Sequence, residues 1–344
     1  MSARLIACTA VVALLIGGVA GWFLHARAAA GHPRMEAADL VRAAVMAEQA
    51  TAYQGRQRVE VPRLSGEGVH TLEADVDAAP GGRMRITYRS APLAGVTIWD
   101  NGDTAFRYNP QQDAVTVASN RATSEDIAQQ GEQLLANYDA TLVGADRRAD
   151  RPVWVVDLKP HRQPAPWRRL WIDQRRWLIL ASAEFGETGR RLHAREFLSI
   201  RFIPSAQDRS DLFEPPPARI RVAAAVVGDT SSRFTVEQLR ELLDFDVRQP
   251  SYLPEGYRFE GGYVHPCGGA LLRQGARLEF SDGFRRVTLI ECPAEELVVD
   301  TSALTPLAVG SVYRGVVDGL AVTATGELPR DQLRRLVESL PAGS

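Results

Sequence analysis

The sequence predicts an α+β protein: an N-terminal curled antiparallel half-barrel sheet with covering helices, followed by a smaller C-terminal α+β domain. Three observations predict it. Segments of strict period-two alternation dominate the first two hundred residues, which marks antiparallel strands with one apolar face. Only two helix-period segments interrupt them, so a long sheet with few covering elements must curl. Finally, Pro215, Pro216 and Pro217 break regular pairing, and a new helix–strand series begins after them.

The 344 residues are 45% hydrophobic and 24% charged, with a net charge of -2. That is enough chain for two ordinary cores. The charge balance excludes the global footprint of a nucleic-acid binder. Lys159 is the only lysine, so nearly every basic residue is arginine.

Residues Leu5 to Leu24, "LIACTAVVALLIGGVAGWFL", carry no charge. About 20 apolar residues can span a bilayer, and small residues at Ala26, Ala28, Ala29 and Ala30 suit a cleavage site. Residues 1–30 therefore read as a signal peptide or an inner-membrane anchor, with both readings open, and the remaining chain as exported. Cys8 is followed rather than preceded by its apolar run, which argues against lipidation. In an exported chain, Cys267 and Cys292 are most simply one disulfide, and two buried thiols are the alternative. No zinc site is expected, because only His265 lies near them.

The first domain is expected over 35–204. Met35 to Glu48 reads as an amphipathic helix through Leu40, Val41, Ala44, Val45 and Ala47. In "YQGRQRVEV", Tyr53, Gly55, Gln57, Val59 and Val61 share one strand face. In "GRMRITYRS", Met84, Ile86 and Tyr88 do. "AFRYNPQQDAVTVA" reads as two strands with Phe106 and Tyr108 facing Val115 and Val117. A helix follows in "SEDIAQQGEQLLANY", with Ser124 as its N-cap and Ile127, Leu134 and Leu135 as its stripe. Strands resume, and "RRLWIDQRRWLIL", Arg168 to Leu180, reads as a hairpin turning at "DQRR" and forming the late edge of the sheet. Residues 205–233 are expected to be a linker with little apolar area to bury. The second domain, 234–344, opens with the helix "TVEQLRELLDF", capped by Thr235 and with Leu239, Leu242 and Leu243 inward. It closes with "PRDQLRRLVESL", with Pro329 at its start and Leu333, Leu336 and Leu340 on one face.

There is no H-E-x-x-H, no G-x-S-x-G and no P-loop, and the six histidines are scattered. No catalytic residue, metal or cofactor is assigned, and the weight falls on binding rather than on an enzyme. The candidate cavity lining is Val59, Met84, Ile86, Phe106, Val117, Leu134, Leu170 and Ile172.

The block "GADRRADRPVWVVDLKPHRQPAPWRRLWIDQRRWLILASAEFGETGRRLHAREFLSI" resembles the centre of RseB/MucB proteins, a family of exported regulators of an envelope-stress sigma factor with a LolA/LolB-like (lipoprotein-localisation) N-terminal domain. The resemblance rests on Ala149–Val156, on the "R-L-W-x-D" strand at Arg169–Asp173, on Glu187–Gly189 and on "ATAYQGRQRV". It continues through "YLPEGYRF", "FSDGFRRVTLIEC" and "VVDGLAVTATGELPRDQLRRLVESL", so it runs through both domains in order. The cysteine pair and the Thr235–Phe245 helix depart from the family pattern. The resemblance implies a periplasmic lipid- or lipoprotein-sensing regulator. It would hold an acyl chain or lipoprotein in the half-barrel cleft, bind the periplasmic segment of a membrane anti-sigma factor, and modulate that factor's proteolysis. A LolA-type lipoprotein or lipid carrier is the alternative. Neither the sequence nor the resemblance assigns an oligomeric state.

Overall fold

Two antiparallel sheets, one in each half of the chain, organise the computed structural model. It describes residues 36–62, 69–102, 104–111, 113–119, 124–161, 166–186, 189–204, 209–215, 233–267, 273–294 and 311–342. The two units divide between residues 223 and 224.

In the first unit, α1 (Ala37–Ala50) precedes β1 (Tyr53–Pro62), β2 (Val69–Ala79), β3 (Arg83–Tyr88), β4 (Thr97–Asp100), β5 (Thr104–Asn109) and β6 (Ala114–Ser119). Then come α2 (Ser124–Asn137), β7 (Tyr138–Arg148), β8 (Arg151–Pro160), β9 (Trp167–Asp173), β10 (Ile179–Phe185), β11 (Arg191–Phe202) and a 3-10 turn, Ser210–Phe213. The strand order is β6-β5-β4-β3-β2-β1-β11-β10-β9-β8-β7. Two meanders are thus joined where the last strand pairs with the first, Val59 lying opposite Arg195. The sheet is open, since β6 and β7 are its two edges.

Chain connectivity forces the curl. In a flat sheet, ten steps of about 4.8 Å would set β6 and β7 about 48 Å apart. The 14 residues of α2 span about 21 Å, and four linking residues add at most about 14 Å. The link is too short for a flat sheet, so the two edges must approach one another, and the helices cover the concave side. The α1 helix packs on both α2 and β7, and a Cβ at Gly131 of α2 would lie 3.3 Å from Val45 of α1.

The same topology corrects the position expected for the "RRLWIDQRRWLIL" hairpin. It forms β9 and β10, but β7 and β8 lie outside it and β7 is the edge. The reason is long-range: β11 returns to the middle of the sheet to pair with β1, which places the hairpin inside the second meander. The "DQRR" turn itself is as expected. Asp173 is fully buried, and its carboxylate accepts the backbone N–H groups of Arg175 (3.0 Å) and Arg176 (2.7 Å).

The start of the expected linker also differs. Phe213 is fully buried against β3 and β4, with the Arg83 guanidinium 5.6 Å from its ring centre. Arg209 donates to buried Asp77 at 2.6 Å, and Asn101 donates to Glu214 at 2.6 Å. This short segment buries apolar area after all, because one aromatic ring suffices where the sheet offers a seat. Residues 205–208 and 216–232 lie outside the described residues.

The second unit comprises α3 (Val236–Leu242), β12 (Arg258–Cys267), β13 (Arg273–Ser281), β14 (Arg286–Pro293), β15 (Ser311–Val317), β16 (Leu320–Gly326) and α4 (Arg330–Glu338). Its sheet runs β12-β13-β14-β16-β15. Thr235 and Gln238 close a capping box on α3. Leu239 and Leu243 are buried, but Leu242 is 53% exposed. The helix stops at Leu242 and the chain turns extended at Leu243, so Leu243 reaches the core in its place. In α4 and just after it, Leu333, Leu336 and Leu340 are all buried. A disulfide joins Cys267 of β12 to Cys292 of β14, with a Cα–Cα distance of 5.9 Å. It passes over β13 at Gly275, where an added Cβ would meet Cys267 Sγ at 2.1 Å and the Glu291 carbonyl oxygen at 2.4 Å. Glycine is required there by this close approach.

Candidate functional site: the concave face and its covering helices

Cross-strand register assigns each side chain to a face, because directly opposed residues of antiparallel strands point the same way. Val59 opposes Leu72, and the phase carries through Ala74, Val76 and Ala78 to Tyr88, Ile86 and Met84 on β3, and on to Ile98 on β4. In the other direction, Val59 opposes Arg195, Arg195 opposes Ser182, and Ser182 opposes Leu170, with Ile172 two residues on. Val59, Met84, Ile86, Leu170 and Ile172 therefore share one face. The Arg195–Glu48 ion pair, 3.0 Å, ties that face to α1, so it is the concave, helix-covered one. Leu134 lies on α2 and is buried.

Phe106 does not belong with these residues. Phe106 opposes Trp99, and Val117 is the register partner of Phe106. Trp99 alternates with Ile98, so Trp99 and Phe106 lie on the convex face. There Trp99, Tyr108 and Val115 form a small separate cluster with Phe106 packed against it. The expected opposition of Phe106 and Tyr108 to Val117 and Val115 is present. What the sequence lacks is the short strand β4, whose register decides which face turns inward.

The concave layer is packed. Val59, Ile86, Leu134, Leu170 and Ile172 are all buried, and Met84 is half-buried. Fully burying such a side chain contributes about 1.5–3 kcal/mol, so the layer serves as core while the helices cover it.

A charged strip crosses the same face. Arg168 donates to Glu184 at 2.8 Å, and Glu184 opposes His193, two residues from Arg195. Burial, with the Arg168 and Arg195 guanidiniums alongside, pushes the His193 imidazole down to about 3, so it is neutral at physiological pH. Glu48 of α1, paired with Arg195 of β11, completes the strip. The sequence reading passed over these residues. Their signal was the phase of Arg168, which shares its alternation with Leu170 and Ile172 and so had to point inward.

The convex face has a different chemistry. Arg58 bridges Glu73 (3.3 Å) and Glu196 (3.5 Å), Arg85 pairs with Asp77 (2.7 Å), and Arg169 pairs with Asp157 (2.6 Å). A shallow groove there has a floor of Ala181, Ala183 and Ala194 between Arg58, Glu60, Arg191 and Glu196 on one side and Arg148 and Trp171 on the other. None of the eight candidate cavity residues lines it. Among the described residues, no group of three or more His, Cys, Asp or Glu is placed to hold a metal ion, and no helix is long and apolar enough to cross a membrane. Leu5 to Leu24 lies outside the described residues.

An open, curled antiparallel sheet whose apolar concave face is covered by two helices, followed by a second small sheet unit, defines a two-unit α+β class of protein. Residues 95–214 match the family model described as the MucB/RseB N-terminal domain, and the resemblance read from the sequence holds. A crystal structure of MucB is similar over 90% of this chain and 98% of its own, with 21% identity and a TM-score of 0.59. The MucA/MucB complex of Pseudomonas aeruginosa is similar over 90% of this chain and 99% of its own, with 18% identity and a TM-score of 0.56. MucB in complex with MucA(peri) is similar over 90% and 100%, with 18% identity and a TM-score of 0.57. These likenesses establish a shared fold through both units. No curated protein matches the chain by sequence.

Proposed function

We propose that this chain is an exported regulator that binds the periplasmic segment of a membrane anti-sigma factor and modulates its proteolysis in envelope-stress signalling, in response to an acyl chain or lipoprotein. The observation that carries the reading is the likeness through both units to MucB, which has been solved in complex with MucA(peri). The concave face suits an amphiphile: an apolar layer for the chain, beside a strip of paired arginines and glutamates for its polar end. Residues 1–30 act as a signal peptide or an inner-membrane anchor, and the working compartment is the periplasm. No enzymatic step is part of this reading.

A lipoprotein or lipid carrier of the LolA type is the second reading. The second unit, with its own core from Val236 to Leu340, favours the regulator, since a carrier needs only the first.

One measurement separates the two. The affinity of the full chain for a fluorescent fatty acid is determined with and without the exported segment of a membrane anti-sigma factor from the same organism. A regulator requires the segment to bind and to change fatty-acid affinity, by the same factor as the fatty acid changes affinity for the segment. Equal affinities would leave the carrier reading. Failure of the segment to bind would remove the regulator altogether.

A further inference from the structure

The β7–β8 and β9–β10 turns lie together at one end of the first sheet. The Gln174 N–H donates to the Pro152 carbonyl at 3.0 Å, and its side-chain amide donates to the Val153 carbonyl at 3.3 Å. Arg151 of one turn pairs with buried Asp173 of the other. The Arg151 and Arg176 guanidiniums sit 4.6 and 5.5 Å from the Phe202 ring centre, which brings the end of β11 to the same place.

Charge at this end is lopsided. The two turns carry Arg147, Arg148, Arg151, Arg175 and Arg176 against Asp146, Asp150 and Asp173, in a chain whose net charge is -2. Asp173 is fully buried, while Arg147, Arg175 and Arg176 are exposed. The turn is built to present its cations outward: the Asp173 carboxylate holds the backbone N–H groups of Arg175 and Arg176, and both side chains are exposed, Arg176 beside the Phe202 ring. Next to them, Trp177 adopts a φ of 62°. A bulky side chain is strained in that region, which marks a constrained turn.

We infer that this end of the sheet docks on the surface of an anionic phospholipid bilayer. Exposed arginines beside aromatic rings suit the headgroup layer, where guanidiniums meet phosphates and rings lie at the apolar boundary. The chemistry favours a bilayer over an acidic peptide. The guanidiniums of Arg148, Arg151 and Arg176 lie over the rings of Trp171 and Phe202, and a headgroup layer offers both phosphates for the cations and an apolar boundary for the rings, whereas an acidic peptide offers only the charge. Docking here is independent of what fills the concave face and of any anti-sigma partner.

The test uses the full chain and co-sedimentation with vesicles of phosphatidylcholine alone or of equimolar phosphatidylglycerol and phosphatidylcholine. The apolar stretch at residues 5–24 would partition into both, so the readout is the excess on anionic vesicles. We expect an excess of about ten-fold or more at low salt, lost at about 0.5 M salt, where charges are screened within a few ångströms. Arg175→Glu with Arg176→Glu should abolish it, and Arg175→Lys with Arg176→Lys should keep most of it, with thermal melting confirming that both variants fold. No anionic excess in the unmodified chain overturns the inference, as does an excess that survives the glutamate pair or disappears in the lysine pair. Binding of polyglutamate without binding of vesicles overturns it in favour of a protein partner.

Discussion

Glu291 sits in surroundings far from those of an ordinary glutamate. It is fully buried on β14 next to Cys292, with one oxygen accepting the Arg248 N–H at 2.9 Å. Burial pushes its carboxyl up to about 8 from 4.5; Arg248 and Arg240 oppose the shift and Asp246 adds to it. Between about pH 4.5 and about 8 the folded chain keeps a proton that the unfolded chain has released. Stability of the second unit therefore falls as pH rises through that window, by on the order of a few kcal/mol in all. Glu291→Gln keeps the acceptor and the shape but cannot ionise. We expect it to be the more stable form at pH 8, with a flatter dependence of unfolding free energy on pH from 5 to 8 (about 1.4 kcal/mol of differential stability per unit of pKa shift). Parallel pH profiles for the two forms would show that Glu291 is ionised in the fold.

At the scale of elements, the four-residue turn Ser210–Phe213 shows how a segment too short for its own core is held. Its anchors are one buried ring and two polar ties, Arg209 to Asp77 and Glu214 to Asn101. Removing the ring leaves a cavity against β3 and β4. Phe213→Ala should destabilise the first unit by about 3 kcal/mol, read as a lower denaturant midpoint at unchanged slope. A loss below about 1 kcal/mol would mean that the turn rests on its polar ties instead. Elements were legible where their signal was strong. Helices α1, α2 and α4 carry full apolar stripes, and the α3 cap is written in Thr235 and Gln238. Strand β2 went unread because its inward positions include Ala74 and Ala78 while Glu73, Asp75 and Asp77 alternate with them, so its apolar contrast is low. With four residues, β4 is too short to show a period.

At the scale of the molecule, Val59, Ile86, Leu170 and Ile172 of the concave layer are buried, so entry of an acyl chain into the proposed site requires helices and sheet to separate. The α1 and α2 helices pack on one another, with Val45 and Gly131 in close approach. We expect the pair Val45→Cys and Gly131→Cys, once oxidised, to stop uptake of a fluorescent fatty acid, and thiol reductant to restore it. The single Val45→Cys variant should take up fatty acid under both conditions, which separates the lock from any effect of reductant on the native disulfide. Undiminished uptake in the oxidised pair would place the opening elsewhere on the sheet. Conformational cover of this kind also sets affinity, since a ligand binds only the fraction of molecules that are open.

The sequence alone determined much of the local structure: most of the strands, the Thr235 cap of α3, that a long sheet must curl, and that Cys267 and Cys292 are a natural pair. Period-two alternation sets Met84 with Ile86 and Leu170 with Ile172, and the register puts them on one face with Val59. Alternation by itself could not decide which phase of one strand joins which phase of the next, because it has two faces and names neither as inward. Tertiary structure decided that. The pairing of β1 with β11, which sets Tyr53 opposite Phe202 and Glu60 opposite Ala194, put the tryptophan-bearing hairpin in the interior of its meander. The register of β4 turned Phe106 outward. The arginines of two turns became one surface only when Asp173 and Gln174 tied those turns together. Each is a long-range contact whose partners carry no local mark of one another, which is why the chain had to fold before they could be read.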